Sequence, residues 1–414
     1  MTLSRIGRIS KALVVSMAVV LGMSACGGYT VGFMWVLGSQ YNQIAGFKID
    51  DYTGNLTGMV NSPYTSAGTN PVAISVSAGG NFVFVVNKGT VNSSGVSNHD
   101  GNIAVFAVGE DGVLTFQNTY STPGGTPIWA VGGGAGNFLY VLDAQAPVDG
   151  LSKPGDGDIA VFGVDGSTGR LQLVLNQSET IPLGPNAGQK TNYFEVGQAP
   201  TTFRTSGSCL YTLDSADQTI YPLLLSGSGQ LTVYSSTPAI PTGLTKLSSI
   251  SVNGNYVFLT DSGSGSVPGT ITPYTIGTGC SLSVQASGAV PNLALTSNPV
   301  YTMTDSKNKF LYVLNHGTTN SNNANSSISA FVIQNTGTLV PISDTSNPYP
   351  VGNGPVCMVE DPSNQYVYTS NNYDGTVTGK FINQNTGQLS DLSRGSVFSA
   401  TGLSTCLAVS GNVD

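Results

Sequence analysis

Only two histidines, His99 and His316, stand among the 414 residues. His99 lies in Ser97-Asn-His-Asp100 and His316 in Asn315-His-Gly317. An imidazole in either place has the right pKa range for a general base or a carbonyl-polarising donor. The plainer reading is an ordinary polar loop residue. Arg204 offers a planar fork that suits a carboxylate or phosphate, and Glu360 offers a second titratable carboxyl. For both, a salt bridge or a capped loop is the simpler account. These four residues are the catalytic candidates. Two imidazoles exclude a three-histidine zinc site. Asp156-Gly-Asp158 resembles a fragment of a calcium loop but lacks the remaining ligands. There is no G-x-x-x-x-G-K phosphate loop and no G-x-S-x-G with suitable partners. No metal and no cofactor is therefore expected.

The first residues read as an address. Arg5, Arg8 and Lys11 precede an uncharged apolar run, Ala12 to Met23, too short to span a bilayer comfortably. Met23-Ser24-Ala25-Cys26 resembles a bacterial lipobox with methionine in place of the commoner leucine. Residues 1–25 are thus expected to be a signal peptide. Cys26 is expected to carry the lipid, at the start of a single domain spanning 26–414. The alternative is ordinary cleavage after Ala25. Loss of Arg5, Arg8 and Lys11 leaves 11 basic against 22 acidic residues. Such a chain is no general nucleic-acid binder, and any membrane attachment must come through the lipid.

The elements that position the candidates repeat about every fifty residues. A short strand recurs with an aromatic third residue: Trp35, Phe84, Tyr140, Tyr211, Phe258, Tyr312 and Tyr368. A second strand follows, opening at Ile44, Ile103, Ile159, Ile220, Ile271, Ile328 and Val377. Gly-then-Leu turns come next, as at Gly112/Leu114 and Gly337/Leu339, where glycine supplies the positive φ of a hairpin. A further strand opens on proline at Pro71, Pro127, Pro200, Pro299 and Pro355. Named b, c, d and a in chain order, these strands give an all-β propeller of seven four-stranded blades. The last strand, Ser404 to Val409, completes the blade that begins at Phe33 and so closes the ring.

This order sorts the loops by face. The a–b and c–d connections are short throughout. The long excursions are the b–c loops Lys88 to Gly101, Ala144 to Gly157 and His316 to Ser326, and the d–a segment from about Ser178 to Ala199. All fall on one face, which in repeat folds usually binds. Both histidines lie there, while Arg204 and Glu360 sit on or near innermost strands. A lipid at Cys26 would turn the short-loop face to the membrane. Strand b ends in Asn or Asp at Asn87, Asp143, Asp214, Asp261, Asn315 and Asn371, and each is expected to cap its own turn. Four further cysteines suit an exported chain. Cys357 and Cys406 share a column of consecutive innermost strands, and Cys209 and Cys280 lie toward the short-loop side of successive blades; both pairs are expected to bridge.

Phe138-Leu-Tyr140-Val, Asp158-Ile-Ala-Val-Phe162 and Thr168-Gly-Arg-Leu171 resemble the seven-bladed propeller lactonase family, which includes 6-phosphogluconolactonases and 3-carboxymuconate cyclases. The resemblance implies the fold over the whole mature chain. Family enzymes carry His-x-His and Gly-Pro-Arg-His motifs on the binding face. Here the counterpart is Gly354-Pro355-Val356-Cys357, and His-x-His is absent. The expectation is a lipid-anchored envelope protein that binds or scaffolds, presenting its long loops to an unidentified small molecule or envelope protein, and acting as a monomer. A lactone hydrolase with an atypical site is the alternative, and a surface polysaccharide or adhesion binder a third.

Overall fold

A computed structural model of the chain describes residues 29–133, 137–233, 240–241, 243–263, 269–293, 298–317 and 326–411. The signal segment 1–25 and the lipidation candidate Cys26 lie outside the described residues. Within them the regular structure is strand throughout, apart from a 3-10 turn at Thr278–Cys280, and no helix is long and apolar enough to cross a membrane. Seven antiparallel sheets each run a-b-c-d from the inside outward. Their innermost strands touch one another around the whole ring. In blade 1, strand a (Ser404–Gly411) pairs with strand b (Thr30–Gly38), so Met34 faces Val409 and Trp35 faces Ala408. The chain's two ends therefore share one sheet, as the repeat register requires.

The aromatic third residues of strand b are all buried, and they hold blade to blade. The c–d turn of each blade packs on the b strand of the blade before it. A Cβ added to Gly112 (φ +77°) would lie 2.5 Å from the Phe33 ring. The same closeness recurs between Gly169 and Phe82, and between Gly337 and Tyr256. Three of the buried aromatics donate to the glycine carbonyl above them: Trp35 Nε1 to Gly112, Tyr312 to Gly387 and Tyr368 to Gly54. At the blade 4–5 boundary the ring position is Cys209, and the contact is replaced by the Cys209–Cys280 disulfide, Cα–Cα 5.5 Å. The second bridge, Cys357–Cys406 (Cα–Cα 5.1 Å), ties strand a of blade 7 to the closing strand of blade 1. Both expected pairings are present.

The outer strand differs from the sequence reading. Only blade 2 has a continuous strand d, Leu114–Tyr120. In the other six blades d breaks into two short pieces on the same c strand, as Leu56–Gly58 and Tyr64–Thr65 do on Gln43–Asp50. Short, broken edges offer little backbone for pairing with another chain. The Asn/Asp column also does more than cap its own turn. Asp143 accepts from Thr122 Oγ1 (2.6 Å), Thr126 N (2.8 Å) and Gly124 N (3.2 Å), all in the d–a crossover entering its own blade. Asn87 donates to Ser66 O in the crossover before it. Asp143 and Asn87 thus staple a crossover to the end of strand b, as Asn315 does through Asn292, whereas Asp214 accepts from Thr212 on its own strand and Asn371 donates to Thr376 and Thr378 of the next. Asp261 does both, taking Thr245 N and Lys246 N from the crossover and Gly263 N from its own turn.

Candidate functional site

Blade 3 carries two long insertions, and the fold brings them together. The b–c insertion supplies Pro147, Val148, Asp149 and Gly150; the second segment, expected between strands d and a, instead interrupts strand d between Leu171–Leu173 and Phe194–Gln198, and supplies Ile181, Leu183, Asn186, Asn192 and Tyr193. With Pro123 they enclose a recess of about 490 Å³ on the long-loop face. Tyr193 is its buried partition, and its hydroxyl donates to Asp149 Oδ2 at 2.6 Å, joining one insertion to the other. Leu151 N donates to the other oxygen of Asp149. The rim is apolar: Val148 is fully exposed and Leu183 largely so. Prolines, aliphatic side chains and carboxamides suit a small, mostly uncharged ligand better than a phosphate.

Beneath the recess lies a feature the sequence analysis missed. Asp143 ends strand b and Asp158 opens strand c directly opposite it, and both are fully buried. Burial pushes both carboxyls up, and for Asp158 the neighbouring Asp143 and Glu195 push further. Asp143 has three donors, whereas neither oxygen of Asp158 has a partner. Two such carboxyls hold at least one proton between them at neutral pH. The signal was legible. At this cross-strand position the other blades pair Asn87 with Asn102, Asp214 with Thr219, Asp261 with Thr270, Asn315 with Ser327 and Asn371 with Thr376. Only blade 3 opposes two acids. Asp156 spends Oδ2 on Lys153 N, and among the described residues no group of three His, Cys, Asp or Glu is placed to hold a metal ion.

The four candidates do not converge. His99 sits at φ +53° on blade 2, exposed, with Nδ1 2.6 Å from Gly124 O. A carbonyl can only accept, so Nδ1 carries the hydrogen and Nε2 is left as the basic nitrogen. His316 lies on blade 6, its ring edge-on to Tyr373 at 5.2 Å and its buried Nδ1 without a partner. Two blades separate the histidines one way round the ring and three the other. Arg204 lies inside the channel on strand a of blade 4 (Pro200–Ser206), over the rings of Trp129 (4.8 Å) and Tyr301 (5.1 Å). Glu360 ends strand a of blade 7 (Pro355–Glu360) at the short-loop side, where it accepts from Ser306 N at 2.7 Å. Burial, and less strongly Asp305, push its carboxyl up to about 7. A general base, an oxyanion donor and a carboxylate holder are thus not assembled around one point from these residues.

Comparison with known proteins agrees with this architecture. The family model described as lactonase, 7-bladed β-propeller, matches residues 30–181 and 300–401. No protein of curated function matches the chain. Among solved structures, the periplasmic gluconolactonase of Pseudomonas aeruginosa superposes with a TM-score of 0.68 at 15% identity, covering 93% of this chain and 100% of that one. A Bacteroides fragilis protein assigned provisionally as a 6-phosphogluconolactonase gives 0.67 at 17% identity, with 92% and 98% covered. A Lactobacillus plantarum protein gives 0.65 at 18%, with 92% and 99% covered. At such identities the likeness is one of fold. Together with seven closed blades and the repeat columns that build them, the family match makes this chain a member of the seven-bladed β-propeller lactonase family.

Proposed function

We propose that the protein is an extracytoplasmic binding propeller, lipid-anchored through Cys26, which takes its ligand at the long-loop face in the recess between the blade 3 insertions. The observation that carries this reading is the division of built structure. The insertions fold against each other around Asp149 and Tyr193, whereas His99, His316, Arg204 and Glu360 are scattered over two faces and the channel. Two disulfides support an oxidising compartment, because cytosolic thiols are kept reduced. Strand b of blade 1 starts on the short-loop side, so an anchor just before Tyr29 leaves the recess facing away from the membrane.

Lactone hydrolysis is the second reading. Family membership favours it, as do neighbours bearing gluconolactonase and provisional 6-phosphogluconolactonase names. A panel of lactones including glucono-δ-lactone and 6-phosphoglucono-δ-lactone, followed by proton release, separates the two. The expected result is no opening above the spontaneous rate. Turnover that disappears in His99→Ala or His316→Ala would establish the hydrolase instead. Palmitate labelling of wild type but not Cys26→Ala tests the anchor independently.

A further inference from the structure

Arg204 and Glu360 are the only charged residues on the seven innermost strands. Glu360 is held at the short-loop end by Ser306 N. Among the described residues the ion pairs are Lys48–Asp111 and Lys380–Asp391, so Arg204 has no carboxylate at ion-pair distance. A half-buried guanidinium without a counter-charge beside it is costly, because it has given up part of its hydration. Its surroundings fix what a counter-ion could reach. Trp129, Thr202 and Tyr301 stand opposite Leu142, Leu213 and Leu314, equivalent positions in blades 3, 4 and 6, and so at one level of the channel. The guanidinium is drawn up to that level by Nη1, which donates to Thr202 Oγ1 and Phe203 O, both at 2.9 Å. The two rings lie against it, and Nε and Nη2 have no partner among the described residues. Nearby, Trp129 Nε1 is buried and also without an acceptor. On the adjacent strand of blade 5, Ser251 is buried with an unpartnered hydroxyl, opposite Phe258 as Arg204 is opposite Tyr211.

We propose that the central channel is a binding site for a small monocarboxylate, held by the free edge of Arg204 with Trp129 Nε1 as a further donor. A planar guanidinium edge matches the two oxygens of a carboxylate, and buried donors left unpaired are the groups a bound anion would satisfy. A single cation balances a single negative charge. A phosphate dianion would need a second cation, and the innermost strands hold none. The site is separate from the blade 3 recess and stands whether or not that recess binds.

The test uses the protein's own reporter, because Trp35 and Trp129 are its only tryptophans and Trp35 is buried with Nε1 on Gly112 O. Acetate, lactate and D-gluconate are titrated into the mature protein at constant ionic strength, against chloride and inorganic phosphate. The expected result is a saturable change in tryptophan emission and a raised melting temperature with a carboxylate. Both should be lost in Arg204→Met and roughly tenfold or more weaker in Arg204→Lys. Trp129→Phe should remove the emission change while retaining part of the thermal shift. Arg204→Met should fold at least as stably as wild type, since it removes an uncompensated charge. No response to any carboxylate in the tens of millimolar overturns the proposal, as does unchanged binding by Arg204→Met. Equal saturation by chloride or phosphate also overturns it, leaving a plain counter-ion contact.

Discussion

The chemistry least expected of a propeller blade is the buried pair Asp143 and Asp158. Both folded-state pKa values are raised, so the folded protein binds more protons than the unfolded chain above about pH 4. Their contribution is therefore most favourable at low pH and is lost as pH rises through the folded values, the one for Asp143 being about 7. Asp214 and Glu360, raised by burial to about 8 and about 7, act in the same direction. We expect the melting temperature to fall between pH 5 and pH 8. Asp158→Asn should flatten that slope and raise the melting temperature at pH 8 more than at pH 5. A variant with an unchanged pH profile would mean that the pair is not the titrating element. Tyr193→Phe tests the neighbouring staple. It removes one hydrogen bond of about 1 kcal/mol while leaving the ring in place. Limited proteolysis should then cut within the blade 3 insertions faster, with little change in global melting.

At the scale of the strand and turn, blades are joined by a glycine turn seated on the neighbour's aromatic ring. Gly112 and Gly95 provide a matched pair, both with φ +77°. A methyl at Gly112 would strike Phe33, whereas the space at Gly95 is open. Gly112→Ala should cost about 2–4 kcal/mol, the sum of left-handed strain and overpacking, and Gly95→Ala about 1 kcal/mol. Equal shifts in urea midpoint would show that conformation alone, and not the ring contact, makes glycine necessary. The glycine column was plain in the sequence, but its partner was not. The Phe33 that Gly112 meets lies in the preceding blade, and no local pattern says that a turn will reach there. The broken outer strands escaped detection for a related reason. Pieces of two or three residues, and five at Phe194–Gln198, are too short for alternation to register.

The whole molecule is a ring whose seam is made twice, once by hydrogen bonds between Ser404–Gly411 and Thr30–Gly38 and once by Cys357–Cys406. Replacing both of these cysteines by serine should lower stability by about 3–4 kcal/mol yet leave the fold, because the strand pairing remains. Ending the chain at Ala400 should instead abolish cooperative folding, since blade 1 loses its innermost strand and the buried faces of Trp35 and Leu37 are opened. Near-ultraviolet circular dichroism and gel filtration distinguish the outcomes. The number of blades, their strand order and the closure were all readable from the residues alone. These follow from periodic columns, and periodicity is local information repeated seven times. The Asp143–Asp158 pairing also belongs to the repeat, since the two end and open neighbouring strands of one hairpin; folding alone brought Arg204 against Trp129 and Tyr301 from two other blades and set His99 and His316 apart. Those relations depend on distances across sheets and across the channel, where residues far apart in the chain meet only after the ring has closed.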